Sequence, residues 1–129
     1  MTELRRVAYV EDEPDIRELT RIALSTVGGM EVECWPGGEE ALAGIGAFGP
    51  DLLLLDVMMP GMDGPELRRR VAADARLAHI PVAFMTAKSR GSEIAALHEL
   101  GIVGVISKPY DPMTLADELR ALWGARRAA

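Results

Sequence analysis

Asp51-Leu52-Leu53-Leu54-Leu55-Asp56-Val57-Met58-Met59-Pro60-Gly61-Met62-Asp63-Gly64 is the stretch that decides the fold. Four consecutive leucines show no apolar–polar alternation, so a strand built from them is covered on both faces, as in a parallel sheet flanked by helices. The run closes on an aspartate, and Pro60-Gly61 and Asp63-Gly64 mark a long turn. Pro65 to about Ala75 then reads as a helix.

The same alternation extends in both directions. Val7 to Val10 is a first short apolar run, broken by Glu11-Asp12-Glu13-Pro14. Ile16, Leu19, Ala23 and Val27 recur at helical spacing, with Pro14 suited to the first turn and Gly28-Gly29 to the end. Met30 to Trp35 predicts a second strand, and Glu39 to about Ile45 a short helix closed by Gly46 and then Gly49-Pro50. After the third helix, Ile80 to Met85 predicts a strand, Glu93 to Leu100 a helix, Ile102 to Ile106 a strand and Pro112 to Trp123 a last helix. Strands alternating with helices imply an α/β domain. Right-handed crossovers leave a doubly wound, flavodoxin-like parallel sheet of order 2-1-3-4-5 as the simplest arrangement. One domain is expected over residues 1–129, with its core between about 4 and 124.

The composition narrows the function. A net charge of −6 argues against direct nucleic-acid binding, which needs a basic face. The run Arg68-Arg69-Arg70 reads as a solvated helix face, and Arg126-Arg127 is too short to alter the balance. Cys34 stands alone, so no internal disulfide forms, which fits a reducing cytoplasm, and it is expected to be an inert buried thiol. The N-terminus is not a signal peptide, and Leu52 to Leu55, the longest aliphatic run, is far too short to enter a membrane as a span. His79 and His98 lack a second ligand at metal spacing; Met58, Met59 and Met62 read as packing, and Trp123 and Leu122 as helix-to-core contacts.

Chemistry concentrates at the strand ends. Strand one ends in Glu11-Asp12, strand three in Asp56, strand four in Thr86 and strand five in Ser107-Lys108. In a doubly wound sheet these converge beyond the carboxyl ends, where strands one and three part. Three crowded carboxylates repel one another, and the single positive charge of Lys108 cannot balance them. Oxygen ligands with few protein contacts suit Mg²⁺, with Mn²⁺ as a substitute.

Four motifs, in order, resemble the CheY-like receiver domains of two-component response regulators: Val10-Glu11-Asp12-Glu13-Pro14, the Asp51–Gly64 segment, Pro81-Val82-Ala83-Phe84-Met85-Thr86-Ala87, and Ser107-Lys108-Pro109-Tyr110. The resemblance implies that Asp56 takes a phosphoryl group from a sensor histidine kinase or a histidine phosphotransfer protein. It implies that Asp12 and Asp56 bind Mg²⁺, with Glu11 acting mainly through water and Met58 through its backbone carbonyl. Lys108 would pair with Asp56 and then contact the phosphoryl oxygens, the Thr86 hydroxyl would turn inward, and the Lys108-Pro109 bond would be cis. Ala87 and Met58 would tune water access. Two positions depart from the family pattern: Glu11 where aspartate is also common, and Val105 where an aromatic switch residue often stands.

The function this implies is a signalling switch that catalyses its own phosphorylation and dephosphorylation and acts on an unnamed downstream protein, either alone or as part of a larger regulator. Three other readings compete. A Mg²⁺-dependent aspartyl phosphatase of the haloacid dehalogenase type wants an acid where Met58 stands. A flavodoxin needs an anion-binding loop where Glu11-Asp12-Glu13 would repel phosphate. A phosphorylation-independent interaction module would have no use for the complete acidic set with Thr86 and Lys108.

Overall fold

The computed structural model describes residues 3–87 and 91–126, so Arg127 of the terminal basic pair lies outside it. Strands β1 (Arg6–Val10), β2 (Glu31–Trp35), β3 (Leu52–Asp56), β4 (Val82–Thr86) and β5 (Gly104–Ser107) form one parallel sheet in the order 2-1-3-4-5. Helices α1 (Pro14–Ile22), α2 (Gly38–Phe48), α3 (Gly64–Ala73), α4 (Gly91–His98) and α5 (Leu115–Ala125) make the connections. The architecture is the doubly wound fold expected from the alternating pattern.

Successive side chains of a strand point to opposite faces, and here that splits the core in two. Val7, Tyr9, Leu52, Leu54, Ala83 and Met85 pack with Leu24 and with Leu115, Leu119 and Trp123 of α5. Ala8, Val10, Leu53, Leu55, Val82 and Phe84 pack with Ile45 of α2, Leu67 and Val71 of α3 and Leu97 of α4. The four leucines of β3 are fully buried, two in each cluster.

Several helix and strand limits differ from the sequence expectation. α2 runs through Gly46 to Phe48 and stops only at Gly49, whose φ of 66° is a left-handed cap that glycine adopts freely. A helix interior tolerates glycine at modest cost, so Gly46, like Gly44, does not mark an end. The first helix continues from α1 into a π-helical turn, Ala23–Val27, and its buried positions are Thr20, Ala23 and Leu24. Leu19 and Val27 lie off that stripe and face outward instead. β4 and β5 begin later than expected, at Val82 and Gly104, with Ile80 and Ile102 left in the preceding loops. The last helix begins at Leu115 rather than Pro112, its first turn held by Asp111 through Met113 N and Leu115 N at 2.9 and 3.0 Å.

The amino end of the sheet is fastened by Asp51. Its Oδ2 accepts from the amides of Arg5 and Arg6 at 3.0 and 2.9 Å, its own amide donates to the Arg6 carbonyl at 2.8 Å, and its carbonyl accepts from Trp123 Nε1 at 3.1 Å. Trp123 is buried and Leu122 packs beside it, as expected of helix-to-core contacts. No helix among the described residues is long and apolar enough to cross a membrane.

Candidate functional site

Parallel pairing sets the carboxyl ends of four strands side by side. Val10 pairs with Leu55, Asp56 with Met85 and Thr86 with Ser107, so the residues at and just beyond these positions share one end of the sheet. Glu11, Asp12 and Asp56 each present a carboxylate oxygen, all within 4.8 Å of one another. Glu11 is 2 % exposed and Asp56 4 %, so both charges are withdrawn from water.

The acidic turn after β1 is held in place by its neighbours. Glu13 accepts from the Asp15 amide at 2.7 Å and caps α1, with Pro14 in the first turn. Arg17 Nη1, one turn into α1, donates to the carbonyls of Glu11 and Asp12 at 2.9 and 3.4 Å. The turn after Asp56 is anchored in the same way. Val57 N donates to the Met85 carbonyl at 3.1 Å and Gly64 N to the Val57 carbonyl at 3.0 Å, while Asp63 caps α3 through the Glu66 amide at 2.9 Å. Gly64 lets α3 approach this closely: a β-carbon there would clash with the Asp56 carbonyl oxygen and lie 3.0 Å from Val57 Cα.

Lys108 is the cation of the cluster. Its Nζ lies 2.7 Å from Asp56 Oδ1 and 3.0 Å from Glu11 Oε1, and its amide donates to the Thr86 carbonyl at 2.8 Å. The following Lys108-Pro109 bond is cis. Burial pushes the Asp56 carboxyl above the ordinary range; Glu11 and Asp12 add to this, and together they outweigh the Lys108 hydrogen bond. Burial works against the Lys108 charge, but the hydrogen bonds and charges of Asp56 and Glu11 prevail and hold its ammonium above the ordinary range. One ammonium therefore under-compensates three carboxylates, and a donor set of hard oxygens short of positive charge fits a small divalent cation.

The other expected residues are distributed around this centre. Thr86 is buried at the end of β4. Ala87, Lys108 and Pro109 line an apolar cleft of about 280 Å³ with Ile16, Leu19 and Tyr110. Val105 is half-buried on the opposite face, packed against the α2–α4 cluster. Met59 is buried and Met62 packs against Gly38, but Met58 does not pack: it is 64 % exposed beside Asp56, since β3 has ended and the turn points its side chain outward. His79 and His98 are exposed. Arg69 and Arg70 pair with Glu66 on an open helix face, whereas Arg68 is half-buried and reaches the Gly101 carbonyl at 3.5 Å. Cys34 is half-buried rather than fully enclosed, and burial pushes its thiol up to about 11.

One residue beside the site did not stand out in the sequence. Tyr9 is fully buried within β1, and its hydroxyl donates to Glu11 Oε1 at 2.9 Å. Burial holds its phenol proton far above the ordinary range. The available signal was the spacing, since residues i and i+2 of a strand project to the same face.

Residues 7–120 match the family model of the response regulator receiver domain. Transcriptional regulatory protein CseB of Streptomyces avermitilis is 35 % identical over 122 residues, covering 95 % of this chain and 50 % of CseB. The chain thus spans about half the length of the curated relatives it matches. Among solved structures, chemotaxis protein CheY4 of Vibrio cholerae is similar with a TM-score of 0.84 at 28 % identity, covering 92 % of this chain and 98 % of CheY4. The signal receiver domain of a signal transduction histidine kinase from Syntrophus aciditrophicus is similar with a TM-score of 0.80 at 30 % identity, covering 97 % and 94 % of the two chains.

Proposed function

The chain belongs to the response regulator receiver domain family of two-component signalling, and on that premise we propose that Asp56 accepts a phosphoryl group from a phosphohistidine of a sensor histidine kinase or a histidine phosphotransfer protein. The observation that carries this reading is the 2.7 Å contact between Lys108 Nζ and Asp56 Oδ1 inside a cluster of three carboxylates. It supports a nucleophile held ready beside the cation that will meet the incoming phosphoryl oxygens.

In this reading an Asp56 carboxylate oxygen attacks phosphorus, the new O–P bond forms as the N–P bond breaks, and the imidazole departs. Phosphoryl transfer asks a protein for positioning and charge compensation more than for covalent help. Mg²⁺, or Mn²⁺ in its place, held by Asp12, Asp56 and the Met58 carbonyl with Glu11 acting through water, would supply the positive charge that Lys108 alone does not. Lys108 shifts its hydrogen bond from the carboxylate to a phosphoryl oxygen. The Thr86 hydroxyl, buried at the neighbouring strand end, turns to the same group and draws β4 with it. Val105 in place of an aromatic leaves Thr86 to carry this movement without a large side-chain swing in β5. The product signals through an altered surface offered to a downstream protein, in the cytoplasm, and the aspartyl phosphate is later lost to water at the same site.

The test is phosphorylation by acetyl phosphate, followed by intact-protein mass spectrometry, with Mg²⁺ or with chelator, on wild type and Asp56→Ala. The expected result is one added phosphoryl group in wild type with Mg²⁺ and none in the other three samples. Wild type that stays unmodified both here and with a cognate kinase would leave a phosphorylation-independent interaction module in its place.

A further inference from the structure

We propose that Tyr9 is a positioning residue for the acidic cluster, its hydroxyl holding the Glu11 carboxylate in the orientation that gathers it with Asp12 and Asp56 for cation binding. The inference rests on the functional reading above.

Glu11 is almost wholly buried, and a buried carboxylate must find donors. Three are at hand: Lys108 Nζ at 3.0 Å and Tyr9 OH at 2.9 Å, both on Oε1, and the Glu13 amide at 3.3 Å on Oε2. Lys108 is shared with Asp56 and must be free to turn to a phosphoryl group. The Glu13 contact is the longest of the three. Tyr9 is the donor with no other duty in the reaction, and its ring is locked in the core beneath the site.

Proton counting extends the device. An ionised carboxylate only accepts, so the single Tyr9 proton points at Glu11. The Tyr9 oxygen is then left to accept, and the buried Thr20 hydroxyl interacts with it from α1. Thr20 in turn lies 2.6 Å from the Tyr110 hydroxyl, in the turn after the cis Lys108-Pro109 bond. Either hydroxyl of the Thr20–Tyr110 pair can be the donor.

The experiment titrates Mg²⁺ into unphosphorylated wild type, Tyr9→Phe and Thr20→Val, following the amide NMR signals of Glu11, Asp12 and Val57, and then measures acetyl phosphate labelling against Mg²⁺ concentration. Tyr9→Phe is expected to bind Mg²⁺ about tenfold more weakly and Thr20→Val a few-fold more weakly. Both are expected to regain the wild-type labelling rate at saturating Mg²⁺, a split that general damage to the fold would not produce. Wild-type Mg²⁺ affinity in Tyr9→Phe, or tighter binding, overturns the proposal while leaving the phosphoacceptor reading intact. Should Tyr9→Phe not fold, an unchanged affinity in Thr20→Val overturns it instead. No Mg²⁺ binding by wild type removes the functional reading and this inference with it.

Discussion

Lys108 Nζ lies 2.7 Å from Asp56 Oδ1 while also touching Glu11, so a single ammonium serves two buried carboxylates. Removing it takes the ammonium from both, although Glu11 keeps the Tyr9 hydroxyl and the Glu13 amide. Lys108→Met keeps the apolar stem and is expected to lower the unfolding free energy by about 1–3 kcal/mol at pH 7 in chelator, the usual penalty for orphaning a buried polar partner. The deficit should shrink on acidification, because Asp56 without its Lys108 hydrogen bond takes up a proton more readily still. Urea denaturation at pH 7 and pH 5 measures both effects, and a deficit that grows at pH 5 would contradict this account.

Asp56 itself should leave a pH signature. Its folded-state carboxyl is held above the ordinary value by burial, so between the unfolded and folded values the native state binds more protons than the unfolded chain. Stability from this group is therefore lost as pH rises through that interval. Asp56→Asn abolishes the slope and is expected to be more stable than wild type at pH 7 in chelator. Denaturation curves across the acidic range would show it, and an Asn variant that is less stable at neutral pH would argue against it.

Cation binding should appear as stabilisation of the folded state. A ligand at about a hundred times its dissociation constant adds about 2.7 kcal/mol. Mg²⁺ is expected to raise the thermal midpoint of wild type, and Asp12→Ala, which lacks one of the three clustered carboxylates, should lose most of that rise. Chelator should return wild type to its starting midpoint.

Gly64→Ala tests the close approach of α3 to the phosphoacceptor turn. The added methyl would meet the Asp56 carbonyl oxygen and Val57 Cα, both backbone atoms that cannot swing aside. Overpacking of this kind costs about 1–3 kcal/mol. Slower labelling by acetyl phosphate should accompany it, since the displaced atoms carry Asp56. A variant as stable as wild type would show that α3 shifts without strain.

The strands were legible because apolar runs such as Leu52 to Leu55 have no other use in a short α/β chain, and the fold followed from their alternation with helices. The acidic cluster was legible because topology alone gathers strand ends. What escaped was whatever depends on side-chain direction. The outward turn of Met58 follows from where β3 stops, which its neighbours Val57 and Met59, both buried, do not reveal. Helical spacing alone does not say which stripe meets the sheet, so Leu19 and Val27 looked as well suited to the core as Ala23, while the polar Thr20 takes a buried place. Tyr9 was read as one more apolar residue of β1, although its hydroxyl is what makes it distinct from Val7.

Asp51 and Asp56 stand at opposite ends of one strand, about 17 Å apart at an extended rise of about 3.3 Å per residue. Asp51 ties the amide edge of β1, the start of β3 and the indole of α5 into one knot. That knot makes the amino end of the sheet a fulcrum. A displacement begun at Asp56 would therefore have to be taken up at the carboxyl rim, where α1 and the turn after β5 meet through Thr20 and Tyr110.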